Sequence, residues 1–175
     1  ELSRATVVIE NGGGYDDFVD TMLDSAGSEA TVLNAVDISG KAAAAGEELN
    51  EHVWYDVETV RKVAQALEDE LAKAAPDDAA TFEANLKTFE SGLDTLEATI
   101  RTDSATTTGQ PVAITEPVPG YLLDALGTQN VTPEEFSEAN KVRQATVNAM
   151  WRFMSQYDLL LTPTNAHVPI PHGQY

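Results

Sequence analysis

The 175-residue sequence contains no cysteine, which excludes disulfides, thiolate metal sites and a cysteine nucleophile. Histidine is nearly as scarce: His52, His167 and His172 are the three imidazoles available as neutral nitrogen ligands or general bases. No apolar run reaches the roughly 18 residues that suggest a membrane-spanning helix. Positive charge is also sparse, with 10 Lys and Arg against 29 Asp and Glu, a net charge of −19. Such a field repels phosphate backbones and argues against a nucleic-acid partner, while it suits cations. Neither a Gly-x-Ser-x-Gly elbow nor a Gly-x-x-x-x-Gly-Lys-Ser/Thr phosphate loop occurs. What remains is globular in character: 42% hydrophobic and 22% charged residues, on a chain long enough to bury a core.

The charge is unevenly spread. Residues 1–139 hold 7 Lys/Arg against 28 Asp/Glu, whereas residues 140–175 hold 3 against 1. A compositional step of this size marks a segment boundary, or else a buried terminal element in which acids are scarce.

Hydrophobic patterning predicts an α/β chain. Ala5-Thr6-Val7-Val8-Ile9 reads as a buried strand that ends in the turn Asn11-Gly12-Gly13-Gly14. Phe18, Met22 and Leu23 then mark one face of a helix, and Thr31 to Val36 a second strand. Gly40 to Glu51 reads as an acidic surface loop. Asp56 is placed as an N-cap for a helix carrying Val57, Val60, Ala64, Leu67 and Leu71, which ends near Pro76. A second long helix over 77–101 is predicted from the stripe Phe82, Leu86, Phe89, Leu93, Leu96 and Ile100. After a Ser/Thr/Gly turn, Pro111 to Thr115 reads as a third strand with Glu116 at its C-terminal end. A short helix through Tyr121 and Leu122 closes at Gly127. Thr132-Pro133-Glu134-Glu135 has the form of a capping box, followed by a helical stripe from Val142 to Met154 and the strand-like Leu159-Leu160-Leu161.

Two residues stand out chemically. His52 sits in Asn50-Glu51-His52-Val53-Trp54-Tyr55-Asp56, where it could offer a ring nitrogen to a metal with Glu51 or Asp56 to orient it. It is equally placed to be a half-buried histidine packed beside Trp54. Glu116 occupies an expected strand end, where ligands gather in open α/β sheets. It could also be an ordinary solvated carboxylate. One nitrogen and one oxygen suit zinc or manganese, although a closed zinc site needs about four ligands. The glycine turn could bind an anion, but Asp16 and Asp17 would repel phosphate, so it is read as a tight turn. His167 and His172, set among prolines, are read as loop residues.

Four stretches together resemble the metal-binding solute-binding proteins of ABC transporters, the zinc- and manganese-capturing cluster. They are Leu2 to Asp16, Asn50 to Asp56, Ile114-Thr115-Glu116-Pro117-Val118-Pro119-Gly120-Tyr121-Leu122, and Val131 to Phe136. The second is similar to the family's Asn-Pro-His-Val-Trp motif, with Glu51 in place of the proline. The resemblance implies that His52 is a metal ligand, and that Glu116 stands where the family places a His or Glu ligand. It implies two α/β lobes joined by a long rigid helix. On that pattern residues 1–76 would be the remainder of an N-terminal lobe, 77–101 the linking helix and 102–139 the start of a C-terminal lobe. The family's two other ligands have no counterpart here, so at most half of its metal shell is expected.

Residues 140–175 resemble instead the C-terminal region of amidase-signature hydrolases, through Phe153 to Thr164 and Pro169-Ile170-Pro171-His172-Gly173. The Ser–Ser–Lys catalytic set of those enzymes is not found. The expected function is therefore non-enzymatic capture of zinc, alternatively manganese, at the periplasmic or extracellular face of the cell membrane, for delivery to an ABC permease. Contact with the membrane is expected only through the permease or a lipid anchor. The competing readings are an amidase-type hydrolase fragment and an acidic interaction or adhesion module on the same scaffold.

Overall fold

The computed structural model describes residues 2–43 and 45–155. The chain divides into two units, Glu1–Asn130 and Val131–Tyr175.

The first unit is α/β. Strand β1 (Val7–Glu10) pairs in parallel with β2 (Thr31–Asn34), in register Val7↔Thr31 through Glu10↔Asn34. Helix α1 (Phe18–Ala26) connects them and stops at Gly27, whose left-handed φ of 57° is the usual helix terminator. The second strand is shorter than its β-branched pattern suggests. Asn34 Oδ1 accepts from the Asp37 N–H at 3.0 Å, and this cap starts helix α2 (Ala35–Ser39) where a strand to Val36 was expected.

Helix α3 (Val57–Ala74) lies against α4 (Ala79–Thr107), which at 29 residues is about 43 Å long. The expected helix over 77–101 thus begins after a 3-10 turn at Pro76–Asp78 and runs six residues further, to Thr107. Its Ser/Thr-rich end is helical, with the hydroxyls of Thr99, Thr102 and Thr107 satisfied by the carbonyls four residues back, at 3.0, 2.8 and 3.1 Å, rather than drawn into a turn. Leu93 is the buried centre of the stripe, whereas Phe89 and Leu96 are exposed. The seam instead takes in Glu90 and Glu97. Glu90 accepts from Gln65 at 2.6 Å, and Arg61 of α3 reaches Asp94 at 2.9 Å and Glu97 at 3.4 Å.

Strand β3 is only Pro111–Val112, paired in parallel with β4 (Gln129–Asn130), and α5 (Gly120–Ala125) lies between them. The ladder stops at Val112 because its partner strand is itself two residues long. Among the described hydrophobic residues, Leu23, Leu33, Val36, Val53 and Leu93 are buried.

The second unit contains α6 (Pro133–Met154). Its start is the predicted capping box: the Thr132 hydroxyl accepts from the Glu135 N–H at 3.1 Å, and Glu135 Oε2 accepts from the Thr132 N–H at 2.9 Å. The strand-like Leu159–Leu161, His167 and His172 lie outside the described residues. No described helix is long and apolar enough to cross a membrane.

Candidate metal centre

His52 is carried by a loop whose two ends are fixed independently. On its C-terminal side Val53 is fully buried and opens a 3-10 turn, Val53–Tyr55. Asp56 then caps α3, accepting from the Thr59 N–H at 3.0 Å and the Thr59 hydroxyl at 2.6 Å, with Lys41 Nζ 3.2 Å away. Burial pushes the Asp56 carboxyl up, but the bonds from Thr59 and the Lys41 cation outweigh it and hold the group below the ordinary carboxylate range. Asp56 is therefore committed to the helix and does not orient the histidine.

On the N-terminal side the glycine turn provides the support. Asp16 folds back so that its carboxylate accepts the backbone N–H groups of Asn11 and Gly12, both at 2.7 Å. Two of the turn's donors are thus occupied by the protein's own anion. Asn11 Nδ2 donates in turn to the Glu51 carbonyl at 2.8 Å. Gly12 has φ of 75°, and a Cβ there would lie 2.2 Å from the Asn34 amide, so only glycine fits.

The His52 side chain is 12% exposed. Its ring meets Trp54 edge-on at 5.0 Å between centroids and Tyr15 at 6.0 Å. Nδ1 lies 2.8 Å from Asn50 Oδ1 and 3.8 Å from Glu51 Oε2. The orienting partner is thus Asn50, not Glu51 or Asp56 as the sequence suggested. Its signal was an Asn two residues before the histidine, a spacing at which Asx side chains bond backbone N–H groups.

Glu116 requires a correction. It does not end a strand: β3 stops at Val112, and Glu116 is exposed in a bend beyond it. It borders a shallow depression with Ala113, Ile114, Thr115, Val118 and Pro119. Even so, its loop is tied to that of His52. Asn50 Nδ2 donates to the Pro117 carbonyl at 2.9 Å, and the Tyr121 hydroxyl donates to the Asn50 carbonyl at 2.7 Å. Lys41 sits 4.3 Å over the Tyr121 ring while paired with Asp56. Burial, followed by the charges of Asp56, Asp124 and Glu51, raises the Tyr121 phenol above its ordinary range. Among the described residues no three His, Asp or Glu side chains gather as a metal cluster. Ser39, the one buried serine, bonds the Val36 carbonyl at 2.6 Å and accepts from the Lys41 N–H at 2.9 Å, a structural duty rather than a nucleophile's.

A parallel α/β unit, a long helix and a loop-borne histidine define a segment of a two-lobed solute-binding protein. The chain belongs to the family of the periplasmic zinc-uptake complex component A, whose profile matches residues 1–161. That match runs past the charge step at residue 140 and takes in much of the segment with the amidase-like resemblance. Among solved structures, the fold is similar to ZnuA (TM-score 0.65, 18% identity, 82% of this chain and 61% of that one). It is also similar to the periplasmic zinc-binding protein TroA from Treponema pallidum (0.59, 19%, 74% and 49%). A third is Zn(II)-bound AdcA from Streptococcus pneumoniae (0.60, 18%, 74% and 28%). At these identities the likeness is one of fold, and the chain spans between 28% and 61% of those three proteins. No curated protein sequence matches it.

Proposed function

We propose that this chain takes part in extracytoplasmic capture of a divalent metal ion for delivery to an ABC permease, with His52 and Glu116 as ligands. The observation that carries the reading is the histidine's setting: a ring held by Asn50 and two aromatic edges, on a loop bonded to the one bearing Glu116. Such support orients a metal-binding imidazole, and a donor set of imidazole and carboxylate suits zinc ahead of manganese. Family membership and the zinc named in the similar structures point the same way. The reading is non-enzymatic, and two protein ligands leave water in the remaining positions, so affinity is weak compared with a closed site.

A second reading is favoured by one observation, that no three acidic or imidazole side chains gather as a metal-holding group among the described residues. On it the chain is an acidic interaction or adhesion module that keeps the scaffold and binds no metal. Isothermal titration with zinc and with manganese at neutral pH separates the two. Weak one-to-one zinc binding that falls at least about tenfold in both His52→Ala and Glu116→Ala supports capture. Zinc binding indifferent to both changes, or no binding at all, refutes it.

A further inference from the structure

We propose that Asn50 is the positioning residue of this site, and that its side-chain amide selects the His52 tautomer that leaves Nε2 free for the metal. The proposal rests on the reading of His52 as a ligand. The amide's orientation follows from its partners. The backbone N–H of His52 can only donate, and it lies 3.1 Å from the Asn50 oxygen. The carbonyl of Pro117 can only accept, and it lies 2.9 Å from the Asn50 nitrogen. Both contacts require the same orientation, so it is an oxygen, an acceptor, that faces the ring. His52 Nδ1, 2.8 Å from that oxygen, must then carry the proton. A neutral imidazole has one ring proton, so Nε2 is left with its lone pair. Among the described residues Nε2 has no hydrogen-bond partner and is not a buried unpaired atom, while the side chain as a whole is 12% exposed.

Other groups around the ring do not compete for this role. Glu51 Oε2, at 3.8 Å from Nδ1, is beyond hydrogen-bonding distance. Tyr15 and Trp54 touch the ring by their edges. Asn50 is held in its place from three sides: its amide nitrogen bonds Pro117, its carbonyl receives the Tyr121 hydroxyl, and Gly120 leaves the room it needs. A Cβ at residue 120 would lie 2.8 Å from the Asn50 amide nitrogen. The same side chain thus sets the ring's proton and joins the loops of the two ligands.

The test is made on the zinc-free full chain by long-range proton–nitrogen NMR of the imidazoles, with His52 assigned by its loss in His52→Ala. The native spectrum is expected to show protonated Nδ1 and bare Nε2 at neutral pH. Asn50→Ala is expected to release the ring to the Nε2–H form and to weaken zinc binding by about 10- to 100-fold in titration. Asn50→Asp loses the donor to Pro117 but keeps an acceptor for Nδ1. At a pH high enough to keep the ring neutral it is expected to show the native ring signature, which separates tautomer selection from simple loss of the loop. A native spectrum with protonated Nε2, or an unchanged signature in Asn50→Ala, overturns the proposal. So does an Nε2–H form of the neutral ring in Asn50→Asp with the fold intact by circular dichroism. Zinc binding that survives His52→Ala would overturn the ligand reading alone, because the tautomer is read without metal.

Discussion

Removal of the Asp56 carboxylate tests whether the His52 loop is held by the start of α3. In Asp56→Ala three contacts disappear: the cap on the Thr59 N–H, the acceptor of the Thr59 hydroxyl, and the ion pair with Lys41. Loss of a helix N-cap costs about 1 kcal/mol, within a range of about 0.5–2. The hydroxyl is worse placed, because Thr59 is 2% exposed and water does not replace the lost partner. An unsatisfied buried group costs about 1–3 kcal/mol. The Lys41 pair is partly solvated and adds less than about 1 kcal/mol. The expected total is about 2–4 kcal/mol, a drop in Tm of about 4–16 °C for a chain of this size. Thr59→Val alone also loses the hydroxyl bond, so the double variant should be less destabilised than the two single losses added together.

The pH dependence gives an independent check. The folded carboxyl titrates below its unfolded value, so the unfolded chain takes up this proton first. Its stabilisation is full above the unfolded carboxylate range near about 4 and is lost as pH falls through the lower native value. The difference in urea-unfolding free energy between the native chain and Asp56→Asn should therefore narrow as pH falls from about 5 to below about 3. Thermal and urea unfolding followed by circular dichroism measure both effects. A change below about 0.5 kcal/mol in Asp56→Ala, or a gap with Asp56→Asn that does not move with pH, would refute this account of the cap.

Three further outcomes are expected. Gly12→Ala should destabilise the chain by more than about 1 kcal/mol in the same assay, since φ is 75° and the new methyl meets the Asn34 amide; a smaller loss would show that Asn34 can move aside. Raising NaCl from about 0.1 to 1 M shortens the screening length from about 10 to 3 Å. With 29 acids against 10 bases the Tm should rise, and a flat or falling Tm would show that self-repulsion does not limit stability. Arg61→Ala should cost only about 1 kcal/mol despite three carboxylate partners, because Glu58 and Asp94 are exposed and Glu97 is only half-buried; a loss above about 3 kcal/mol would mark the cluster as desolvated.

The elements legible in the sequence were those with a local cause. The periodicity of Val57 to Leu71, the cap at Asp56 and the capping box at Thr132 each act within a few residues of themselves. The misjudged boundaries were settled by competing local bonds or by distant partners. Asn34 turned the end of a β-branched run into a cap, and the hydroxyls of Thr99 and Thr107 find their acceptors inside the helix, in a composition that usually signals a turn. Strand β3 ended early because β4 offers two residues to pair with, and nothing within Pro111 to Thr115 records the length of its partner.

The same division explains the site. His52 could be singled out because its motif is contiguous, and its aromatic neighbour Trp54 is two residues away. Tyr15 could not, since its approach to the ring depends on how the glycine turn closes on Asp16. The bonds that give Asn50 its second role span 67 residues to Pro117 and 71 to Tyr121. An asparagine read locally is a turn residue, and only these distant contacts fix which end of its amide faces the histidine. Glu116 shows the converse. Its place at a strand end was inferred from a strand that does not extend to it, yet its loop is still brought to that of His52. The prolines flanking this stretch explain how: Pro117 supplies a carbonyl to Asn50, and Pro119 precedes the helix whose second residue, Tyr121, bonds the Asn50 backbone. The nearness of the two loops therefore comes from residues 117–121 recognising residue 50. Changes there should separate the two loops even where His52 and Glu116 are left untouched.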